Sequence, residues 1–506
     1  MTKKFSFLFW LGNNISQFAV ANSLQEKIEC KFNGIISSND KFKDFYQKQK
    51  FVEFENLWVY PDYIENFDAN PDMDYLSDFE KKYQISLWEI IFSERIFSYN
   101  YNKFHKFTQN ELLLILEQAC KFFESIFDKI SPDVVIAQLP IGHDDYLFYK
   151  MCNFFNFRTL YIRRSRLGYR TKIVDNQTSD LNENIIDDKS LNSFEDIENY
   201  LTNFSSYKQF QKNKSVVHQP IGSKFISFLK FYFGFSKTNK KYYSTMGKNR
   251  WNLTKLDSNF SRKLRLKSRE RFLNQIYLKN IEKNTPFIFF PLHFEPERSL
   301  LIENRFHSNQ LHIIECISKS LPINFQLYVK DHPAMKKRGW RDISFYKKII
   351  NLPNVNLLSP LIDPKIILNN CSLVIAISGT LGIEAAFYNK PSIIFGREDI
   401  SLPSSIIQID NLKDLPNTIN KALQTKPNIS EIVHFINQMM KNSFDYDVFE
   451  IDDKFNQKFP YLGYLNNPNL IVSEIQKFIH ENKEIFERLT MEYLDKLGDL
   501  VKPYQK

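Results

Sequence analysis

Short, uninterrupted apolar runs recur through the second half of the chain, and a helix-length segment separates each run from the next. The runs are FIFFPL (287–292), FQLYVK (325–330), VNLLS (355–359), SLVIAIS (372–378) and PSIIFG (391–396). Continuous apolar runs of this length are typical of parallel strands that are covered on both faces. Strands that alternate with helices predict βαβ units and a parallel sheet.

The N-terminal half shows the same alternation. Its strand-length runs are FSFLFWL (5–11), FNGIISS (32–38), DVVIAQLP (133–140) and FRTLYIRRS (157–165). Because a chain of 506 residues is too long for one ordinary core, two or more domains are expected. The sequence therefore predicts an α/β fold with two Rossmann-like domains and a cleft between them. The predicted division is 1–205, a basic linker 206–282, a second domain 283–445, and helices in 446–506 that pack back on the first domain.

Cysteine usage and the length of the apolar runs indicate the cellular setting. The five cysteines are scattered without a CxxC pair, which favours a reducing compartment and argues against structural zinc. The N-terminal run has only strand length, and no run reaches the roughly 18 apolar residues of a spanning helix. We expect a cytoplasmic protein, with the inner face of the cytoplasmic membrane as the alternative location.

One mid-chain segment carries the whole basic excess. Residues 237–281 contain thirteen Lys and Arg against two acids, whereas the net charge of the entire chain is +9. A Phe-rich stretch, 221–235, comes directly before. Aromatic side chains followed by basic ones are typical of a segment that binds an anionic membrane surface. The alternative is a buried inter-domain helix followed by a solvated linker. The candidate contacts to an acidic partner are Lys237, Lys240, Lys241, Arg262, Lys263 and Arg265.

A histidine stands at the end of the run FQLYVK. The chain continues there as Lys330-Asp331-His332-Pro333, and the proline biases His332 toward an extended backbone. Ligands of open α/β sheets bind at the carboxyl ends of strands. His332 can donate to a phosphate oxygen at that edge or shuttle a proton near neutral pH. A loop histidine without a role is the alternative at this point, and Lys330, His332 and Pro333 are candidates for a nucleotide-binding site.

A glycine turn follows the run SLVIAIS. Ser378 ends the strand, Gly379 permits a close turn, and Thr380 is suited to cap the next helix. Free N–H groups and the helix dipole make such a start an anion site, suited to a nucleotide phosphate. Glu384 lies one turn further, where it can reach ribose hydroxyls or only stabilise the helix N-terminus.

Charged residues crowd the turn that follows FIFFPL. In PLHFEPERSLL (291–301), Arg298 is a candidate clamp for a phosphate or carboxylate of the ligand. Glu295 is a candidate general acid or base, although an acid beside an arginine is more often part of an ion pair.

The motifs PLHFEPE, KDHP and SGTLGIEA…NKPSIIFG, in this order, resemble those of the capsule polysaccharide biosynthesis family. That family includes β-Kdo transferases and is similar to the bacterial GT-B sialyltransferases. The resemblance, over about 286–396, implies a GT-B fold, a CMP-activated acidic sugar such as Kdo or sialic acid as donor, and a glycan or glycolipid acceptor. It also implies that His332, Pro333, Ser378 and Thr380 contact the CMP phosphate.

The catalytic carboxylate is open among four residues. The sialyltransferases carry it in an acidic-acidic-Gly motif of the N-terminal domain, whereas GHDDYLF here places the glycine before Asp144 and Asp145. Asp175 and Glu295 are the other candidates. Such a carboxylate deprotonates the acceptor or forms a covalent glycosyl intermediate. No DxD triplet stands where a metal-dependent transferase would need one, so we expect no metal and no cofactor beyond the nucleotide-sugar donor.

Three other functions compete with this interpretation. A UDP-sugar transferase or UDP-sugar 2-epimerase would share the paired Rossmann domains, but the epimerase would need neither an acceptor nor a membrane contact. A catalytically silent scaffold of a polysaccharide assembly complex would keep the binding residues without the chemistry. Nucleic-acid binding through the basic segment is disfavoured, because no recognisable RNA or DNA module accompanies it.

Overall fold

The structure is a computed structural model that describes residues 5–38, 40–64, 69–98, 106–168, 170–177, 259–282, 285–333, 335, 341–378, 380–396, 401–459 and 471–505. Within these residues, twelve strands form two six-stranded sheets, one in each half of the chain. No helix of this part is long and apolar enough to cross a membrane.

The N-terminal sheet has the strand order β3-β2-β1-β4-β5-β6. Its strands are β1 Ser6–Leu11, β2 Lys31–Ile36, β3 Asn56–Val59, β4 Val134–Ala137, β5 Arg158–Arg164 and β6 Thr171–Asp175. All neighbours pair in parallel except β6, which runs antiparallel to β5. The helices of this half are α1 Ser16–Lys27, α2 Asp40–Lys48, α3 Tyr60–Tyr63, α4 Met73–Tyr83, α5 Leu87–Ser93, α6 Gln109–Phe127 and α7 His143–Phe154.

The C-terminal sheet has the order β12-β11-β10-β7-β8-β9, and all its pairs are parallel. Its strands are β7 Phe287–Pro291, β8 Gln326–Lys330, β9 Val355–Leu358, β10 Leu373–Ala376, β11 Ser392–Ile394 and β12 Ile406–Gln408. The helices are α8 Asn259–Ile276, α9 Gln310–Ser320, α10 Ile343–Ile350, α11 Pro364–Asn370, α12 Thr380–Phe387, α13 Leu415–Gln424 and α14 Ile429–Lys441. A π-helical turn, Ser299–Glu303, follows β7.

Both sheets have the strand order of a Rossmann fold, 3-2-1-4-5-6 counted within each half. The order reverses between β1 and β4 in the first sheet and between β7 and β10 in the second. Ligand sites of doubly wound sheets lie at this reversal, outside the carboxyl ends of the strands. The predicted fold class, two Rossmann-like α/β domains, is confirmed.

The last three helices belong to the core of the N-terminal domain. They are α15 Val448–Lys458, α16 Val472–Glu481 and α17 Lys483–Leu497. Phe455, Phe478 and Leu489 from these helices share one hydrophobic cluster with Phe7 and Phe9 of β1. The tail therefore covers one face of the N-terminal sheet.

The two domains contact each other through residues in and after β5 and residues after β7. Ile302, after β7, packs against the N-terminal core, while Leu167, after β5, lies in a cluster of the C-terminal half. Arg163 of β5 forms an ion pair with Glu303 at 3.1 Å. Both halves thus contribute side chains to the same region.

The predicted basic segment is described only in its last part. The apolar stretch 221–235 and Lys237, Lys240 and Lys241 lie outside the described residues. Arg262, Lys263 and Arg265 lie in α8, of which only the backbone is described at these positions. Further along α8, Leu273 is buried in the core of the C-terminal sheet. Although α8 falls within the predicted linker 206–282, it packs as part of the C-terminal domain.

Candidate active site

The end of β8 is fixed by a buried carboxylate. The side chain of Asp331, 2% exposed, accepts hydrogen bonds from Arg341 Nη1 at 2.5 Å, from the Tyr346 hydroxyl and from the His332 backbone N–H at 2.8 Å. A buried charge is stable only when it is paired and hydrogen bonded. Asp331 is therefore a structural anion that sets the direction of the chain at His332.

His332 is partly buried at the rim of the sheet, with its ring 5.5 Å from the ring of Phe294. Burial lowers the pKa of His332 to about 4; Asp331 acts in the opposite direction, and Lys330 and Arg341 add to the lowering. The imidazole is therefore neutral at pH 7. A neutral imidazole donates one N–H and accepts at its other nitrogen.

Lys330 supplies a cation two residues before this histidine. It is buried at the end of β8, and burial lowers its pKa to about 8, although Asp363 and Asp331 partly oppose the shift. The ammonium group remains mainly protonated at pH 7.

A second histidine, His293, follows β7. Its Nε2 accepts a hydrogen bond from the backbone N–H of Ser378 at 3.3 Å, which leaves the ring proton on Nδ1. Burial lowers the pKa of His293 to about 3, and the charge of Arg341 contributes to the same shift. His293 thus ties the end of β7 to the end of β10 as a neutral ring. The charged turn was noticed in the sequence, but His293 was not among the predicted site residues.

Ser378 lies two residues after the end of β10. The residue is 3% exposed, and its Oγ has no hydrogen-bond partner among the described residues. Gly379 and the Thr380 side chain lie outside the description, but α12 begins at Thr380. Gly382 lets α12 lie close to β11, since an added Cβ there would be 2.6 Å from Ile394 Cγ2. Glu384 is partly buried one turn into the helix.

The remaining two predicted residues of this half are held by neighbours. Glu295 accepts hydrogen bonds from Gln310 and, at 3.3 Å, from Arg341 Nε. Arg298 Nη1 lies 2.7 Å from Glu303 Oε1. Glu295 helps to fix the turn after β7, and Arg298 joins the ion pairs at the domain contact.

In the N-terminal domain, Asp144 and Asp145 have different environments. Asp145 is buried and accepts from the N–H groups of Ile141 and Gly142 at 2.9 and 2.8 Å, so it caps α7. Burial, and then the charge of Asp144, raise the pKa of Asp145 well above its usual range, although these hydrogen bonds oppose the shift. Asp144 is partly exposed and accepts from the Ser37 hydroxyl. Because Ser37 follows β2 and α7 follows β4, Asp144 lies at the carboxyl edge of its sheet.

A buried hydrogen-bond chain supports the start of α7. The Nδ1 of His143 lies 2.9 Å from Glu94 Oε2, and its Nε2 lies 2.9 Å from the Tyr60 hydroxyl. The potential ligand atoms of Glu94, His143 and Asp144 lie within 4.8 Å of one another. Since both ring nitrogens of His143 already have partners, this group is better described as a hydrogen-bond network than as a metal site.

Asp175 lies at the opposite edge of the N-terminal sheet. It ends β6, which is antiparallel to β5, so it faces Leu160 near the start of β5. Its carboxylate is buried and forms an ion pair with Arg158 at 2.8 Å. The structure therefore separates Asp175 from Asp144 and from the carboxyl-edge site.

The depressed pKa of His332 predicts an acid-sensitive fold. Between the usual histidine pKa near 6.5 and the folded value of about 4, the unfolded chain binds a proton that the folded chain does not, so stability falls as the pH falls. We expect His332→Gln to lose less stability than the wild type between pH 6.5 and 4.5. Urea unfolding at several pH values measures this, with the exposed His480→Gln as control. Equal slopes for the His332→Gln variant and the wild type would contradict the assignment.

Part of the chain matches a known protein family. The family model described as "Capsule polysaccharide biosynthesis protein" matches residues 195–403, which include β7 to β11. No curated protein matches the chain.

Three of the solved structures that match the chain are described here by their similarity to it. The Neisseria meningitidis UDP-GlcNAc 2-epimerase bound to UDP-GlcNAc is 11% identical, with coverage of 90% of this chain and 100% of that chain and a TM-score of 0.27. The Thermosulfurimonas dismutans KpsC β-Kdo 2,7 transferase is 11% identical over 79% and 98%, with a TM-score of 0.31. The Candida albicans trehalose-6-phosphate phosphatase N-terminal domain is 13% identical over 88% and 93%, with a TM-score of 0.30. Likenesses this remote carry no inference about the activity of this chain. The resemblance to the capsule polysaccharide biosynthesis family rests instead on the motifs and the family match, and it is confirmed over residues 195–403.

Proposed function

We propose that this protein is a glycosyltransferase of surface-polysaccharide biosynthesis, of the capsule or lipopolysaccharide type. The observation that carries the proposal is the convergence of His293, His332 and Ser378 at the carboxyl edge of the C-terminal sheet, within the region that the family model matches. The carboxyl edge of a doubly wound sheet is where nucleotides bind. The proposed donor is a CMP-linked acidic sugar such as Kdo or sialic acid, and support for this choice comes from the resemblance.

The donor phosphate would lie among groups that compensate its charge. His332 offers an N–H, Lys330 a nearby cation and Ser378 a hydroxyl without a partner in the described residues. The start of α12 at Thr380 would add backbone N–H groups, Gly379 would permit the close turn that the sequence predicts, and Pro333 would favour an extended backbone at His332. Glu384 would reach the ribose. Arg298 is left out of this set, because its guanidinium is paired with Glu303.

The proposed reaction is transfer to a hydroxyl of a glycan or glycolipid. The bond between the anomeric carbon and the phosphate oxygen breaks, and CMP leaves with the electron pair, stabilised by the groups at the rim. The acceptor oxygen bonds to the anomeric carbon and gives its proton to Asp144. Asp145 caps α7 in this scheme, and no metal takes part.

One prediction from the proposed function concerns the choice of nucleotide. We expect CMP, in the presence of EDTA, to raise the thermal unfolding midpoint more than UDP, GDP or ADP, because a ligand that binds only the folded state stabilises it. His332→Ala should lose most of this shift. A preference for UDP would favour a UDP-sugar transferase or 2-epimerase, and no response to any nucleotide would favour a silent scaffold.

Another prediction separates donor binding from the chemical step. Asp144→Asn should lower kcat for transfer by about 10²–10⁴-fold and leave the CMP-induced stabilisation intact, since it removes a base and not a donor contact. Asp128→Asn, an exposed carboxylate at the end of α6, is the matched control. Full activity in the Asp144→Asn variant would exclude Asp144 as the base.

We also propose that the basic segment brings the enzyme to an anionic membrane, where a glycolipid acceptor would reside. Removal of 221–235 should abolish cosedimentation with anionic liposomes, and zwitterionic liposomes should not bind the intact chain. Replacement of Lys237, Lys240 and Lys241 by Gln should weaken the binding of the chain to anionic liposomes and make that binding less sensitive to salt. Unchanged cosedimentation of both variants would refute the membrane contact.

A further inference from the structure

One arginine of the basic helix α8 does not face solvent. Arg269 is 7% exposed, and it shares the inward face of α8 with Leu273, which lies four residues further along and is buried in the core of the sheet. Its neighbour Arg271 is exposed. A buried guanidinium requires a compensating anion and hydrogen-bond acceptors.

Those partners lie on both sides of His332 in the chain and in the helix α10. Arg269 Nη1 donates to the Met335 carbonyl at 3.2 Å, Nη2 donates to the Tyr346 hydroxyl at 2.9 Å, and Nη2 lies 4.0 Å from Asp331 Oδ2. The Tyr346 hydroxyl in turn donates to Asp331. Arg269 thus contacts the loop after His332, at Met335, and is linked through Tyr346 to the residue before it.

The loop makes one further bond of its own. The Met335 N–H donates to the His332 carbonyl at 2.9 Å, which closes a turn over Pro333. Arg341 donates to the other oxygen of the Asp331 carboxylate, Oδ1, and also to the His293 carbonyl. Arg341 therefore joins the two histidine-bearing ends, whereas Arg269 joins the His332 turn to α8.

We propose that Arg269 is a positioning residue for the donor site. Its planar guanidinium spans the Met335 carbonyl and the Tyr346–Asp331 pair, so it holds the turn in which His332 presents its ring. The role in donor binding rests on the proposed function, but the ordering of the turn does not. Arg262, Lys263 and Arg265 precede Arg269 in α8, so this helix joins part of the basic segment to the proposed donor site.

The test measures the order of the turn directly. Hydrogen exchange of peptides within 327–335, read by mass spectrometry, reports the His332 N–H, bonded to Asp331, and the Met335 N–H, bonded to the His332 carbonyl. We expect Arg269→Met to speed their exchange about tenfold, because it leaves buried acceptors unpaired. Arg271→Met removes the same charge from the exposed face of α8 and should exchange as the wild type does.

A second variant covers the case in which Arg269→Met fails to fold. Tyr346→Phe removes only the hydroxyl that links Arg269 to Asp331, and it should speed exchange in the same peptides while peptides of β1 and β4 stay protected. In both variants the CMP dissociation constant should rise with little change in kcat, and ethylguanidinium should partly restore CMP binding to Arg269→Ala.

The outcomes separate this inference from the proposed function. Exchange in Arg269→Met and Tyr346→Phe equal to that in Arg271→Met would overturn the positioning role, whatever the ligand. If Arg269→Met and Tyr346→Phe exchange faster but the wild type binds no nucleotide, the ordering of the turn by Arg269 is supported and the proposed function is contradicted. Faster exchange with weaker CMP binding would support both.

Discussion

The parallel register of β10, β7 and β8 is the constraint on which the candidate site depends. Because β7 pairs with both neighbours in parallel, residues 293, 332 and 378 all leave the sheet at the same edge. The hydrogen bond between Ser378 and His293 joins residues that are 85 positions apart in the chain. No local sequence motif produces this contact. It arises because β7, β8 and β10 end at the same edge of the sheet and because the strand order reverses between β7 and β10.

The electrostatics of this edge follow from burial. Both histidines are neutral because their rings are shielded and because Arg341 lies near them, so the positive charge of the rim comes from Lys330 and Arg341. Arg341 is paired with Asp331 and Glu295, and Lys330 is a further cation near His332 in the described part of the chain. A phosphate bound there would favour the protonated imidazole and so raise the pKa of His332. Binding of such a ligand would then be accompanied by proton uptake at pH values near that raised pKa.

Much of the C-terminal half could be predicted from sequence, because buried parallel strands are continuous apolar runs and helices fill the gaps. The short strands β3, β6 and β12 gave too little pattern to be recognised. The direction of β6 has no periodic signal, and that direction alone puts Asp175 at the wrong edge for Asp144. The number of Lys and Arg residues in 237–281 predicted a basic surface that included Arg269. Such a number does not indicate which residue of a helix faces inward. Arg341 was missed because its partners Asp331, Glu295 and the His293 carbonyl meet it only in the folded chain.

The order of residues at the start of α7 has a packing explanation. An added Cβ at Gly142 would lie 2.7 Å from Glu94 Oε2, so the glycine before the two acids makes room for the carboxylate that holds His143. Asp145, three residues after Gly142, is then in the position from which it caps the helix, and its carboxylate is used for that purpose. Asp144, between the buried His143 and the buried Asp145, is the acid left at the edge. Of the two acids, Asp144 is therefore the one whose side chain remains partly exposed at the carboxyl edge of the sheet.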